Sequence, residues 1–225
     1  MKILVFDTSS IISLVTNNLL GTLNPLKERF RGEFYIPKSV EYELVDKPLE
    51  GKMFKLEAMM VRRAIRNKLL NVYSNEINVE SLLNKVNSIY YEKGKPINIV
   101  SKAEVEALAL AVNMKAEAYV VDERTMRLLV EDPEKLKRIH ENKLHTKITV
   151  NNEFLRELKN FVKGVKIIRS TELVLVAYEK GMFDKYLVDH TSRRDLVDAL
   201  LWGLKLRGCS ISEEEVKILI DIETR

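Results

Sequence analysis

Residues 2–10 read KILVFDTSS, an apolar run that ends at Asp7 and is followed by three hydroxyl residues. A short apolar run is typical of a strand that is buried in a parallel sheet. The carboxyl ends of such strands face the crevice in which open α/β sheets bind ligands, and hydroxyl residues there favour the start of a helix. The sequence therefore predicts a strand over residues 2–6, with Asp7 on the floor of a site.

A second buried run, residues 118–121, stops at Asp122 in the same way. Shorter runs at 33–36 and 165–168 predict further strands. Apolar periodicity and capping residues predict helices over residues 9–19, from Pro37 through Glu43, 50–70, 79–92, from Ser101 to Met114, 124–130, 171–180, 192–207 and 212–222. Because strands and helices alternate, we expect an α/β fold with a mainly parallel sheet.

Composition limits the class of protein. The 225 residues are 46% hydrophobic and 31% charged, which is enough for one domain with a sizeable core and an appended subdomain. The net charge of +4 is compatible with a nucleic-acid partner. Cys209 is the only cysteine, which excludes an internal disulfide and predicts a reducing cytoplasm. No run approaches the roughly 20 apolar residues of a membrane-spanning helix, so no membrane partner is expected.

Four carboxylates occupy comparable positions in this pattern. Asp7 and Asp122 end strands, whereas Glu43 and Glu104 lie near helix starts. Strand ends and the following helix starts share one edge of a parallel sheet, and converging carboxylates repel one another unless a cation lies between them. Hard oxygen ligands suit Mg²⁺ or Mn²⁺, which promote attack on phosphate esters. Taken singly, each acid has a plainer interpretation as a helix cap or a solvated side chain, and Glu104 is also the expected capping-box partner of Ser101.

Four local patterns, in this order along the chain, resemble the PIN-domain family of nucleases. They are residues 3–9 (ILVFDTS), 35–43 (YIPKSVEYE), 103–111 (AEVEALALA) and 120–127 (VVDERTMR). The chain departs from the family where Ala103 replaces a usual Gly and Glu123 replaces the second Asp of a pair. Glu104 and Glu106 compete for one role because residues two apart on a helix face about 200° apart; we favour Glu104.

The resemblance implies a three-layer α/β/α fold with a mainly parallel central sheet of 4–5 strands and added helices. It predicts a nuclease domain over residues 1–185, with a helical elaboration at about 47–95 and an insertion at about 131–165. Residues 186–225 are then expected to form a C-terminal helical extension packed on the same domain.

The resemblance also implies a metal-dependent endoribonuclease that hydrolyses single-stranded or structured RNA, as a toxin of a toxin–antitoxin pair or as an RNA-processing enzyme. Asp7, Glu43, Glu104 and Asp122 would hold Mg²⁺ or Mn²⁺. Four further residues would assist: Thr8, Ser9, Glu123 and Arg124. Arg124 would contact a phosphate or form a salt bridge with a nearby Glu. The implied partners are RNA, a second copy in a homodimer, and an antitoxin or RNA-processing protein.

A basic segment extends the RNA hypothesis. Residues 47–68 hold seven basic and two acidic side chains. The predicted helix places four of them on one side, where they would follow an RNA backbone: Lys55, Arg62, Arg63 and Arg66. The alternatives are a solvated helix face, or a surface that holds a partner subunit or a cognate inhibitor.

Two other functions remain as alternatives. One is a catalytically weak or inactive RNA-binding or scaffold protein on the same fold. The other is a phosphotransfer receiver domain, which expects an acidic pair near the first strand and a Lys after a later strand. Asp7 has no acidic neighbour and that Lys is not evident, so the receiver hypothesis is disfavoured.

Overall fold

The computed structural model describes residues 2–188 and 190–224. The strands of this part of the chain are β1 (Lys2–Phe6), β2 (Gly32–Pro37), β3 (Asn71–Tyr73), β4 (Tyr90–Glu92), β5 (Lys95–Pro96), β6 (Ala118–Val120), β7 (Ile148–Val150) and β8 (Ile167–Ile168). The helices are α1 (Thr8–Thr16), α2 (Leu23–Phe30), α3 (Lys38–Glu41), α4 (Lys47–Glu50), α5 (Lys55–Arg66), α6 (Glu80–Val86), α7 (Lys102–Asn113), α8 (Arg124–Glu131), α9 (Pro133–Leu144), α10 (Asn152–Phe161), α11 (Ser170–Glu179), α12 (Arg193–Leu206) and α13 (Glu213–Glu223). A π-helical turn, Tyr42–Asp46, joins α3 to α4.

The central sheet has five strands in the order β3-β2-β1-β6-β8, and every neighbouring pair is parallel. With helices on both faces it forms the predicted three-layer α/β/α fold. β1 is the middle strand of the sheet, and its residues Leu4, Val5 and Phe6 are buried between the two helical layers. The chain leaves β1 towards β2 on one side and returns as β6 on the other. The carboxyl ends of β1 and β6 therefore flank the point at which the strand order reverses, where such sheets bind ligands.

Two helices fix the positions of the strand ends. α7 buries seven of its twelve residues and packs across β1, β2 and β6. α1 starts directly after β1 and packs against α5 and α11. The acids at the ends of the strands and at the start of α7 are thereby held in one well-packed region.

A second, antiparallel sheet was not expected. Its strand order is β5-β4-β7, and it includes residues that the sequence assigned to a single helix over 79–92. That prediction is wrong because α6 ends at Val86 and Tyr90–Glu92 is a strand. Lys93 and Gly94 both have positive φ, as a two-residue hairpin turn requires.

Two other segments show details that the sequence did not predict. The helix predicted over 50–70 is shorter, since Phe54 adopts a left-handed conformation (φ 58°) and α5 begins after it. The charged stretch 131–165, predicted as an insertion, contains α9, β7 and α10. β7 completes the antiparallel sheet by pairing with β4, more than 50 residues earlier in the chain.

α11 packs against the edge strand β8, and the last two helices follow it in the chain. α11 contacts α12, and α12 contacts α13. Arg169, 9% exposed, joins α11 to α13 by pairing with Glu172 (2.7 Å) and Glu215 (3.0 Å). The division into residues 1–185 and 186–225 stays a prediction, and positions 1, 189 and 225 of those ranges lie outside the described residues. Across the described part of the chain, no helix has the length and apolar character needed to cross a membrane.

Candidate acidic site

Asp7 caps α1 and is 1% exposed. Its Oδ2 accepts two hydrogen bonds from Ser9, one from the backbone N–H (3.0 Å) and one from the hydroxyl (2.6 Å). Its Oδ1 is buried and has no hydrogen-bond partner. Burial raises the pKa of Asp7 to about 6 against the lowering effect of the Ser9 bonds, and the charge of Glu43 raises it further. Asp7 is therefore a desolvated acid with one free acceptor atom.

Glu43 reaches this region from the π-helical turn, which inserts a wider turn between α3 and α4. Such π-turns are frequent at functional sites because they shift the direction of the side chains they carry. The hydroxyl of Thr8 donates to Glu43 Oε2 at 2.6 Å. Thr8 directly follows Asp7 in the chain, so this hydrogen bond holds the Glu43 carboxylate close to the end of β1.

Glu104 performs the capping role that the sequence predicted. Its Oε2 accepts from the backbone N–H of Ser101 (2.6 Å), and its own N–H donates to the Ser101 hydroxyl (3.3 Å). Burial raises the pKa of Glu104 to about 7, and the charges of Asp7 and Glu123 raise it further. Glu106 instead pairs with Lys102 (3.7 Å). The structure therefore places Glu104 in the electrostatic field of Asp7, and the choice of Glu104 as the ligand stays a prediction.

Asp122 is fully buried and turns towards α11. Its Oδ1 accepts from the backbone N–H of Ser170 (2.7 Å) and its Oδ2 from the Ser170 hydroxyl (2.6 Å). Its backbone N–H donates to the Ser9 hydroxyl (3.0 Å). The structure brings its backbone beside Asp7 through Ser9, while its carboxylate faces Ser170. Its assignment as a metal ligand stays a prediction.

Glu123 and Arg124 start α8. Glu123 donates its N–H to the Ser9 hydroxyl (3.2 Å), and its Oε2 accepts from the N–H of Met126 (2.8 Å). The exposed Arg124 donates from Nε to the hydroxyl of Ser210 (3.3 Å), instead of pairing with the nearby Glu that the sequence offered as an alternative. Its contact with a phosphate stays a prediction.

Ser170 and Ser210 are site-supporting residues that the sequence reasoning did not identify. Ser170 follows the last parallel strand, at the same sheet edge as Asp7 and Asp122, and this position was the available signal. Ser210 lies in a loop and donates its N–H to the backbone carbonyl of Asp122 (3.1 Å). Nothing in the local sequence around Ser210 indicates that contact.

The predicted RNA-binding residues lie on the outer face of α5. Lys55, Arg62, Arg63 and Arg66 are all exposed. Three of these, Arg62, Arg63 and Arg66, line a shallow pocket of about 440 Å³ together with Met59 and Asn67. Arg62 also lies 3.9 Å from Asp46, at the end of the π-helical turn that carries Glu43. Their role in RNA binding stays a prediction.

The donor chemistry of the acids fits a divalent cation, since the free Oδ1 of Asp7 is a buried anionic acceptor beside two further carboxylates. Within residues 2–188 and 190–224, however, no group of three His, Cys, Asp or Glu side chains is arranged closely enough to hold a metal ion. Asp7, Glu43 and Glu104 therefore have the oxygen donors that a divalent cation requires. Their side chains would have to rotate for all three carboxylates to bind the same ion.

A family model described as a PIN domain matches residues 3–137, more than half of the chain. The matched part contains Asp7, Glu43, Glu104 and Asp122 together with the strands and helices that carry them. Neither the curated proteins nor the solved structures give a match. The family match agrees with the parallel five-strand sheet and its acidic edge, and we conclude that this chain belongs to the PIN-domain family.

Proposed function

We propose that the protein is a metal-dependent endoribonuclease that hydrolyses phosphodiester bonds of single-stranded or structured RNA, using Mg²⁺ or Mn²⁺ at its acidic edge. PIN domains are typically nucleases, so the family supports nuclease chemistry. The observation that carries the proposal is the Asp7 carboxylate, which is buried, has a free Oδ1 and is adjacent to the charges of Glu43 and Glu104.

These acids are costly for the fold unless they have a function. A buried carboxylate with a raised pKa destabilises the folded state once it ionises. Asp7 and Glu104 both have pKa values raised by burial, and each lies in the field of another acid. A cation between them would remove that cost, which is why such clusters are functional-site candidates.

The roles of the individual residues follow from their hydrogen bonds. When bound, a divalent cation supplies Lewis-acid activation of water and neutralises charge on the phosphate oxygens. Asp7, Glu43 and Glu104 would hold it. Ser9 fixes Asp7 through Oδ2 and Thr8 fixes Glu43 through Oε2, which leaves the other oxygen of each carboxylate available. The turn after β6 would add one more acid, from Asp122 or Glu123.

The surface around the site supplies the proposed binding path. Glu43 lies in the π-helical turn, which packs against α5. Lys55, Arg62, Arg63 and Arg66 would hold the phosphates of a strand that passes from α5 towards Glu43. The proposed partner is therefore RNA. Three further predictions stand beside it: a homodimer, an antitoxin or RNA-processing partner protein, and a cytoplasmic location.

A second candidate is an RNA-binding or scaffold protein with little catalysis. It is favoured by one specific observation: in the described residues, the acids do not converge into a set of three metal ligands. Under this hypothesis the basic face of α5 would bind RNA without any requirement for a cation.

The test uses a labelled circular single-stranded RNA, which only an endonuclease can open, with Mn²⁺ or with EDTA. The variants are Asp7→Asn and, as a matched control, Glu117→Gln, an exposed acid just before β6 at the opposite edge of the sheet. We expect cleavage by the wild type and by Glu117→Gln in Mn²⁺, and none by Asp7→Asn or in EDTA. Cleavage that persists in Asp7→Asn would refute the assigned site. Metal-independent RNA binding without cleavage would favour the scaffold hypothesis.

A further inference from the structure

Large apolar side chains are exposed beside the basic residues of α5. They are Met53, Phe54, Leu56 and Met59. Residues three or four apart lie side by side on a helix, and Met59 accordingly lines the shallow pocket that three arginines of α5 also line. Exposed apolar groups that adjoin one another and are rimmed by polar ones mark interaction sites. The outer face of α5 and the two residues before it therefore form a mixed apolar and basic surface.

Phe54 adopts a backbone conformation that a bulky residue rarely takes. Its φ of 58° and ψ of 21° lie in the left-handed region, which costs free energy for residues with a Cβ and is usually occupied by Gly or Asn. Phe54 directly precedes α5, yet its side chain makes no capping hydrogen bond, and the residue is 52% exposed. Neither capping nor burial accounts for an aromatic residue here. Such strain is found at functional sites.

Phe54 lies close to the acidic edge of the sheet. It lines a small pocket of about 80 Å³ together with Glu43. Most other walls of this pocket are apolar side chains of α1, the π-helical turn, α4 and α5. The pocket is too small to enclose a nucleobase. A base that approaches Glu43 from this side would therefore lie on the exposed face of the Phe54 ring, at the mouth of the pocket.

An unpaired RNA strand has the chemistry that matches this surface. Its phosphates are anionic and its bases present flat apolar faces, whereas a duplex stacks its bases on one another and exposes its backbone and grooves. A second copy of the chain would bring two basic faces together, and their like charges would repel. The exposed ring among basic side chains therefore favours a single strand over a duplex or a symmetric dimer.

We propose that Phe54 is a base-stacking residue: its ring packs against an unpaired base while Lys55, Arg62 and Arg63 hold neighbouring phosphates. The proposal rests on the proposed function for its choice of RNA as the partner. It narrows the substrate to strands whose bases are unpaired near the bond that is cleaved. The strained backbone of Phe54 then has a purpose, since it holds an aromatic ring at the surface beside Glu43.

The experiment measures binding of labelled RNA to the full chain by fluorescence anisotropy, in EDTA so that no metal-dependent cleavage occurs. The ligands are a mixed-sequence single strand, an abasic strand of the same length, and a duplex of the same sequence. Phe54→Leu removes the flat ring and keeps an apolar side chain, whereas Phe54→Trp keeps a ring. His145→Leu is the matched control, because His145 is an exposed ring with positive φ (52°) at the end of α9.

We expect Phe54→Leu to weaken binding of the single strand about 10-fold, as loss of one stacked base does. The loss should be equal at every salt concentration, because stacking involves no phosphate charge. Arg63→Ala should instead reduce the slope of log affinity against log salt concentration by about 0.7. Phe54→Leu and the wild type should bind the abasic strand equally. Phe54→Trp and His145→Leu should bind the single strand at least as tightly as the wild type.

Three results would overturn the proposal. The first is an affinity for the single strand that Phe54→Leu leaves unchanged. The second is an equal loss for the single strand and the abasic strand, which would mean that Phe54 has only a structural role. The third is a wild type that sediments as a dimer while Phe54→Leu sediments as a monomer, which would mean that a second copy covers this surface.

Cleavage of circular RNA in Mn²⁺ decides the proposed function separately. A wild type that cleaves this RNA, with an affinity that does not depend on Phe54, overturns the stacking role alone. A wild type that binds the single strand through Phe54 and cleaves no RNA refutes the proposed function and supports the stacking role.

Discussion

Ser9 donates both its backbone N–H and its hydroxyl to a single oxygen of Asp7, Oδ2, at 3.0 and 2.6 Å. The other oxygen, Oδ1, is buried and free. The same hydroxyl accepts the N–H groups of Asp122 and Glu123, so one serine joins the ends of β1 and β6. The arrangement fixes Asp7 in place and leaves one of its acceptors available.

Replacing Ser9 with Ala should destabilise the protein by about 2 kcal/mol, because two buried N–H groups lose their acceptor. The free energy of unfolding, measured in urea, checks this. Thr16→Ala is the control, since it removes a hydroxyl from the same helix that bonds only to the carbonyl of Ile12. An equal loss for both variants would contradict the bridging role of Ser9.

Replacing Asp7 with Asn should stabilise the metal-free protein at neutral pH. The folded pKa of about 6 lies above the usual value of 3.8, so the unfolded state ionises first and the wild type loses stability as pH rises from about 4 to 6. The gain in the variant should reach at most about 3 kcal/mol above pH 7 and disappear below pH 3.5.

Urea unfolding in EDTA at pH 3.5 and pH 8 measures this gain. Asp195→Asn is a control of opposite sign: this capping acid has a pKa lowered by its hydrogen bonds with Ser192, so its replacement should destabilise the protein at pH 8. If the difference in unfolding free energy between Asp7→Asn and the wild type is the same at both pH values, the desolvated state of Asp7 is contradicted.

Adding Mn²⁺ should raise the midpoint of thermal unfolding of the wild type. At 100 times the dissociation constant, binding to the folded state contributes about 2.7 kcal/mol, which corresponds to roughly 5–10 °C for a chain of this size. Glu117→Gln should respond like the wild type and Asp7→Asn should not. An equal shift in Asp7→Asn would mean that the cation binds elsewhere.

Replacing Lys55, Arg62 and Arg66 together with Ala should weaken RNA binding across all sequences. Loss of three phosphate contacts should reduce the slope of log affinity against log salt concentration by about 2. The matched control replaces Lys147, Lys163 and Lys166, which are exposed in loops that precede β7 and β8. If both triple variants lose affinity equally, binding depends on net charge and not on the face of α5.

The sequence predicted the parts of the structure that local patterns determine. Asp7 ends an apolar strand, and the Ser101–Glu104 capping box spans only four residues, so neighbouring residues suffice to identify both. The central sheet followed from the alternation of such elements. The family match and the five parallel strands confirm that fold.

The missed features depend on residues that are far apart in the chain. Tyr90–Glu92 is a strand because β7, more than 50 residues later, pairs with it; its own residues are equally compatible with a helix. The direction of the Asp122 carboxylate is set by its hydrogen bonds with Ser170, and its backbone carbonyl accepts a hydrogen bond from Ser210. Local sequence patterns carry no information about such contacts.

The contacts of Asp122 with Ser170 and Ser210 also have a consequence for protein synthesis. Domains form from the N-terminus as a chain is made, and β1, α7 and β6 are all translated well before these two serines. On a ribosome the turn after β6 would therefore be held through Ser9 alone until residues 170 and 210 have emerged. We expect a nascent chain stalled before residue 170 to be cut by trypsin at Arg124, and one that exposes residue 210 to resist. The acidic edge would then acquire its full set of supporting contacts late in translation.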